Sequence, residues 1–205
     1  MARTGTKKTV DSKVAEAEAR RLAAARSLRN RRLVIGAVVT VILVGALVFF
    51  ATRPEPEALN NVETFPDQGQ AHLDPSSPAP EYNSDPPTSG PHAPAAAACG
   101  IYRTAVPDIN LVHDLEHGVI VIYYNPDTAG DGREALEDFV RGAGTHAIVV
   151  PREGMESPIV LTAWRHLLRL DSFDRAAIRG FYGRYAQFGP ERGVGCPLAV
   201  DQSQG

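Results

Sequence analysis

One stretch near the N-terminus is apolar and uncharged throughout. Leu33 to Thr52 reads LVIGAVVTVILVGALVFFAT, twenty residues without a charged side chain. At a rise of about 1.5 Å per residue, an α-helix of that length spans about 30 Å, the thickness of the hydrocarbon core of a membrane. The run is longer than the apolar part of a cleaved signal peptide, and no small-residue cleavage site follows it. The pattern predicts an uncleaved transmembrane helix over residues 33–52.

After residue 100 the apolar positions follow strand-like and helix-like spacings in turn. β-Branched and aromatic residues fill 119–124 between Gly118 and Asn125, which predicts a buried strand. Further strands are predicted at His146–Val150, Ile159–Trp164 and Leu167–Leu170. Two helices are predicted, one from Glu134 to Arg141 with Asp131 as cap and Gly142 as end, the other from a Ser172 cap to a stop at Gly189-Pro190. This mixture, with an antiparallel component, predicts an α+β fold.

Proline separates these elements from the apolar run. Residues 54–94 hold ten of the sixteen prolines, so this part cannot form a long helix or a central strand. We expect a short stalk followed by an irregular arm, about residues 63–99, that wraps onto the domain. The predicted organisation is a cytoplasmic basic segment at 1–32, the transmembrane helix at 33–52, a stalk at 53–62 and one compact mixed α/β extracytoplasmic domain at 63–205.

Charge divides the chain at the same place. Residues 1–52 carry ten Lys and Arg against three Asp and Glu, whereas residues 53–205 carry eleven Arg against twenty-one Asp and Glu. Because basic residues crowd only the N-terminal flank of the apolar run, the positive-inside rule places the N-terminus in the cytoplasm and the larger part outside. The acidic balance of that part excludes nucleic acid as its partner. The expected partners are the membrane, through residues 33–52, and an unidentified protein or component of the cell envelope.

The chain has two cysteines, Cys99 and Cys196, and both follow the apolar run. In an oxidising compartment such a pair most simply forms a disulfide. The apolar neighbours of Cys99 give no reason for a lowered thiol pKa, which a catalytic or metal-bound thiolate would need. We therefore predict a disulfide that ties the start of the domain to its tail.

Histidine supplies the candidate chemistry. His72, His92, His113 and His117 lie within 46 residues of chain. If residues 111–117 form a helical turn, His113 and His117 share one face and can bind one Zn²⁺ or Cu²⁺, whereas on a strand they would lie too far apart. His92 and His72, from the arm, would supply further ligands. The favoured interpretation is a bound divalent transition metal without catalysis, and the other interpretation of these histidines is bonding to backbone carbonyls around a turn.

Two other function classes stay open. Residues 113–117 also spell H-x-x-E-H, the inverted zinc-peptidase signature, in which Glu116 would act as general base of a metal-dependent hydrolase. That chemistry needs a third protein ligand, for which Glu191 is one arbitrary choice. The remaining class is a metal-free interaction module that uses the proline-rich arm as a contact surface.

Four stretches of the sequence resemble a known family. They are Tyr82–His92 (YNSDPPTSGPH), Cys99–Tyr102 (CGIY), Leu111–Gly118 (LVHDLEHG) and Leu161–Trp164 (LTAW). Together they resemble the domain-of-unknown-function family DUF3105 over about residues 62–197, without departure at the His, Glu or Cys positions. The resemblance implies a bacterial protein with one N-terminal membrane anchor and an outer domain, and it implies no reaction.

Overall fold

The structure is a computed structural model that describes residues 21, 26, 28, 30–49, 56–74, 77–78 and 80–199. The chain divides into two compact units, 1–54 and 55–205. The first contains helix α1, Asn30–Phe49, whose twenty residues are long enough and on average apolar enough to cross a membrane, a test that a signal sequence also passes. The last three residues of the predicted span, 50–52, and most of the basic segment lie outside the described residues.

The second unit contains all the described strands. In chain order its elements are a 3-10 helix at Glu57–Asn61, β1 at Glu63–Thr64, β2 at Gly100–Ile101, α2 at Asp108–Glu116, β3 at Ile120–Tyr124, α3 at Gly132–Ala143, β4 at Ala147–Pro151, β5 at Ile159–Ala163, β6 at His166–Leu170 and α4 at Arg175–Tyr185. The four strands predicted from hydrophobic pattern are confirmed as β3 to β6, with ends displaced by one residue.

These strands form one mixed sheet in the order β1-β6-β5-β3-β4-β2. Strands β1, β6, β5 and β3 pair antiparallel, so the predicted antiparallel component is present. Strands β3, β4 and β2 pair parallel. Helix α3 provides the crossover that parallel neighbours β3 and β4 require. The domain is therefore mixed α/β, built on one sheet with helices.

Strand β3 is buried on both faces of the sheet, which explains its unbroken apolar sequence. Ile120, Ile122 and Tyr124 pack with residues of α3 and α4. Val121 and Tyr123 point to the other face, where they pack with α2. This alternation is the two-residue period of a strand. The second face carries the candidate site, because α2 and the arm lie there.

The N-terminal segment of the second unit packs onto it. Leu59, in the 3-10 helix, is buried in the core, and its Cδ1 lies close to Gly180 of α4. Residues 56–62 thus contact the domain, although the proline pattern assigned them to a stalk. The arm follows as irregular chain held by hydrogen bonds, among them the Trp164 indole to Asp67 at 3.0 Å and the Arg165 amide to the Thr88 carbonyl at 2.8 Å.

A disulfide joins Cys99 to Cys196 across 97 residues, with the two Cα atoms 5.7 Å apart. Cys99 directly precedes β2 and is buried. The Ala199 amide donates to the Cys99 carbonyl at 2.9 Å, and the His146 amide donates to the Cys196 carbonyl at 3.1 Å. The bridge therefore fastens the end of the arm and the C-terminal tail to the same edge of the sheet.

The predicted helix ends need correction. Helix α4 is capped by Asp174, whose carboxylate accepts from the amides of Ala176 and Ala177, because Ser172 lies too far from the first turn. It ends at Tyr185, before Gly189-Pro190. Helix α3 continues through Gly142 to Ala143, since Gly144 is the residue that adopts the left-handed conformation. Asp131 occupies the cap position of α3 without a side-chain capping bond.

Candidate metal centre

Helix α2 presents three candidate side chains at its C-terminal end. Glu116 and His117 follow His113 by three and four residues, so both side chains lie on the same face of the helix as His113. The helix ends here because Gly118 adopts a φ of 78°. The Gly118 amide donates to the Leu115 carbonyl at 3.0 Å and the Val119 amide to the Asp114 carbonyl at 2.9 Å, the two bonds of a Schellman motif. The helical geometry that a shared ion requires is therefore present.

The arm brings two further histidines to this helix end. His72 and His92 lie in chain segments that pair in parallel: the Leu73 amide donates to the His92 carbonyl at 2.7 Å and the His92 amide to the Ala71 carbonyl at 3.0 Å. The imidazole of His113 stands 5.1 Å from that of His72 and 4.9 Å from that of His92, measured between ring centroids. Residues about 20 and 40 positions apart in sequence thus meet in one cluster.

Backbone carbonyls fix the orientation of two of these rings. Nδ1 of His92 lies 2.8 Å from the Gly90 carbonyl oxygen, and Nδ1 of His113 lies 2.7 Å from that of Ala93. A carbonyl oxygen only accepts hydrogen bonds, so each Nδ1 carries the proton and donates it. A neutral ring then presents Nε2 as a lone pair, which is the usual arrangement of a metal-ligating histidine. Bonding to carbonyls, the alternative interpretation of these histidines, is compatible with metal binding because it occupies the other nitrogen.

Two buried acceptors face each other at the centre of the cluster. Nε2 of His92 lies 3.0 Å from Oε2 of Glu116, and the two side chains are 0% and 6% exposed. Neither atom has a hydrogen-bond partner within the part of the chain that the structure describes. Buried polar atoms are almost always satisfied. Two lone pairs at this separation require positive charge between them, from a proton or a metal ion.

The ligand atoms of four residues lie close enough together for side-chain movement to bring them around one ion. His72, His92, His113 and Glu116, the inner group, each offer one ligand atom within 4.8 Å of the others. Ligands at about 2.0–2.1 Å from a tetrahedral ion stand about 3.3 Å apart, and opposite ligands of an octahedral ion about 4.2 Å. Separations of up to 4.8 Å therefore exceed the octahedral distance by at most about 0.6 Å and the tetrahedral distance by at most about 1.5 Å. A divalent ion is also favoured by the negative end of the α2 dipole.

His117 faces a second acidic residue. Its Nε2 lies 3.1 Å from Nε2 of His113 and 3.2 Å from Oε2 of Glu191. Glu116, His117 and Glu191, the outer group, also offer ligand atoms within 4.8 Å of one another. The Glu191 amide donates to the Glu116 carbonyl at 3.1 Å, so backbone contact holds Glu191 beside the helix end.

Burial shifts the pKa of two groups beside the cluster. Burial raises the pKa of the Asp114 carboxyl to about 8, although the hydrogen bond from the Ala97 amide acts in the opposite direction. Burial also lowers the pKa of His117, and the neighbouring His113 lowers it further against the opposing effect of Glu191. A lowered imidazole pKa keeps the ring neutral, the form in which histidine binds metal.

Gly189 allows the close approach that places Glu191. A Cβ at this position would overlap the Glu116 carbonyl oxygen and the Gly118 amide nitrogen, both of which are backbone atoms that cannot turn aside. We expect Gly189→Ala to displace the segment after α4, separate Glu191 from His117 and lower the free energy of unfolding by about 1–3 kcal/mol. Urea unfolding measures the loss.

The matched control for that substitution is Gly183→Ala. Gly183 lies within α4, and a Cβ there meets no atom within 4 Å. Because alanine favours helix over glycine, this variant should gain about 0.5–1 kcal/mol. Equal stability of the two variants would contradict the packing that we describe.

The sequence-predicted ligands thus meet, with one rearrangement. His72, His92 and His113 converge with Glu116, a residue that the sequence offered as a general base, in a buried His/Glu cluster that could bind a metal. His117 contacts His113 and faces Glu191. The nearness of Glu191 had no support in the sequence beyond its acidic side chain. The sequence signal for this contact was the pair Gly189-Pro190 directly before Glu191. The pair predicts a helix stop, and in the structure Gly189 also permits the contact with α2.

Comparison with known proteins identifies the family. The chain matches no curated protein and no solved structure. The family model described as Protein of unknown function (DUF3105) matches residues 75–197, more than half of the chain. The match includes both cysteines and all the residues of the two groups except His72. The chain therefore belongs to the DUF3105 family.

Proposed function

We propose that the domain binds one divalent transition-metal ion through the inner group, His72, His92, His113 and Glu116. The observation that carries the proposal is the buried contact of 3.0 Å between two unsatisfied acceptors, His92 Nε2 and Glu116 Oε2. A proton shared by these two atoms would satisfy that pair alone. A metal ion would satisfy the same pair and also use the lone pair of His113. The role of the domain is binding or sequestration of that ion.

The donor types support Zn²⁺ or Cu²⁺. Imidazole nitrogen with one carboxylate suits these ions, whereas Mg²⁺ and Ca²⁺ prefer oxygen ligands throughout. Both cysteines are in the disulfide, so the chain has no thiolate to select Cu⁺. Apart from Met1, its only methionine is Met155. Met155 lies in the loop between β4 and β5, at the end of the strands opposite to the inner group.

We place this domain outside the cytoplasm on a membrane anchor formed by α1. The basic flank before the apolar run supports a cytoplasmic N-terminus. The disulfide supports the same orientation, since such bonds persist mainly in oxidising compartments. Labelling of a single introduced cysteine before and after α1 in intact cells would contradict the orientation if only the N-terminal position reacted.

Metal analysis tests the binding proposal. The full chain, purified in mild detergent, is stripped with chelator, dialysed against Zn²⁺ or Cu²⁺ at neutral pH and analysed for bound metal. We expect one tightly bound ion per chain and a rise in the unfolding temperature with metal concentration, because an ion that binds only the folded state stabilises it. Absence of uptake with either ion would reject the proposal and favour a metal-free interaction module.

A further inference from the structure

The ligand cluster has a buried centre and two exposed sides, one at Glu191 and one at His72. In the inner group, the side chains of His92 and Glu116 are 0% and 6% exposed. In the outer group, the side chains of His117 and Glu191 are 14% and 55% exposed. Glu116 belongs to both groups. Exposure therefore rises from His92 and Glu116 through His117 to Glu191, whereas His72 of the inner group is itself 51% exposed.

The spacing between the groups favours one ion that moves over two ions held together. Nε2 of His113 and Nε2 of His117 are 3.1 Å apart. That separation is close to the distance of about 3.3 Å between two ligands of a single tetrahedral ion. An ion held by Glu116 and His117 can therefore gain His113 before it releases His117, so that it never loses its protein ligands.

We propose that Glu116, His117 and Glu191 form a loading site, at which a divalent transition-metal ion first binds before Glu116 passes it to His72, His92 and His113. The inference rests on the proposed function, because it assumes the inner group as the final site. Glu116 offers a ligand atom to both groups, and its Oε2 is buried and without a hydrogen-bond partner among the described residues. The exposed Glu191 carboxylate supplies the negative charge that attracts the ion from solvent.

Backbone contacts fix the position of Glu191. Its amide bonds the Glu116 carbonyl, and Gly189 makes the close approach possible. The competing entrance is His72, whose side chain is 51% exposed. The inner group contains no carboxylate other than Glu116, whereas the outer group adds that of Glu191.

Stopped-flow kinetics with Co²⁺ tests the loading site, since the visible absorption of Co²⁺ reports its ligands. Metal-free full chain in detergent is mixed with Co²⁺ to measure loading, and the complex is mixed with excess chelator to measure release. A residue on the path but outside the final site lowers the barrier in both directions. For Glu191→Gln we therefore expect both rates to fall about tenfold, with unchanged final absorption and a dissociation constant within about threefold of wild type.

Glu153→Gln is the matched control. Glu153 is an exposed glutamate in the turn between β4 and β5, and the same charge is lost there. It should load and release Co²⁺ at the wild-type rates.

Each other outcome overturns the inference. Loading of Glu191→Gln at the wild-type rate would show that ions enter elsewhere, past His72, and would leave the proposed function intact. A weaker affinity with an unchanged loading rate would make Glu191 a final ligand. Failure of the wild-type chain to bind Co²⁺, Zn²⁺ or Cu²⁺ would reject the proposed function together with the loading site.

Discussion

Replacing His113 by alanine is expected to lower the affinity of the full chain for Zn²⁺ at least about 100-fold, so that no ion survives dialysis. The imidazole of His113 is the only ring in direct contact with the other three, at centroid distances of 5.1, 4.9 and 4.5 Å among the described histidines. Its Nε2 is held as a lone pair by the bond from Nδ1 to the Ala93 carbonyl. Loss of even an orienting partner costs a metal site about 10–100-fold in affinity, and loss of a ligand costs at least as much.

His166→Ala is the control for this substitution. His166 is partly buried like His117, but it stacks on Tyr185 at 4.4 Å and contacts Thr64, away from the cluster. It should keep the full metal content. Retention of the ion by His113→Ala, or equal losses in both variants, would contradict the proposed centre.

The variant Glu116→Gln distinguishes metal binding from hydrolysis. It also provides a second test if His113→Ala fails to fold. It preserves the shape of a buried side chain and removes its charge. If Glu116 is a ligand, this variant binds Zn²⁺ more weakly while its unfolding temperature without metal stays near that of wild type. If Glu116 is instead the general base of a hydrolase, the variant keeps its metal and loses activity.

Local sequence pattern was sufficient for much of the fold. The apolar run of β3 predicts a strand because burial on both faces of the sheet sets its composition. Helix ends were predicted less well. Ser172 and Asp174 are both good caps, and only the path of the chain shows that the Asp174 carboxylate reaches the first turn.

The site depended on contacts that local pattern does not contain. The interval between His113 and His117 predicts a shared face only if the segment is helical, and α2 meets that condition. The pairing of His72 with His92 is a backbone contact within irregular chain, where no hydrophobic period marks the register. Glu191 reaches the cluster through a backbone approach that depends on one glycine, so its side chain alone gave no indication.

The disulfide gives the second large expected effect. Replacing both cysteines, in Cys99→Ala/Cys196→Ala, should lower the free energy of unfolding of the domain by about 4–5 kcal/mol, since the bridge closes a loop across 97 residues and restricts the unfolded chain. Alanine is the better substitute because Cys99 is only 1% exposed and serine would bury a hydroxyl without an assured partner. Urea unfolding of the full chain in detergent, followed by the fluorescence of Trp164, measures the change.

Reduction provides an independent control for the same bond. Wild-type chain in strong reductant should unfold at the urea midpoint of the double variant, and reductant should leave the midpoint of the double variant unchanged. A wild-type midpoint that does not change with reductant would contradict a stabilising bridge.

Loss of the bridge should also weaken the metal centre. Cys99 ends the arm that carries His72 and His92, and Cys196 follows Glu191 by five residues. Without the bridge, both segments are tied to the sheet only by hydrogen bonds and packing, so ordering the ligands costs more of the binding free energy. We therefore expect weaker Zn²⁺ binding in the double variant even under conditions in which it remains folded.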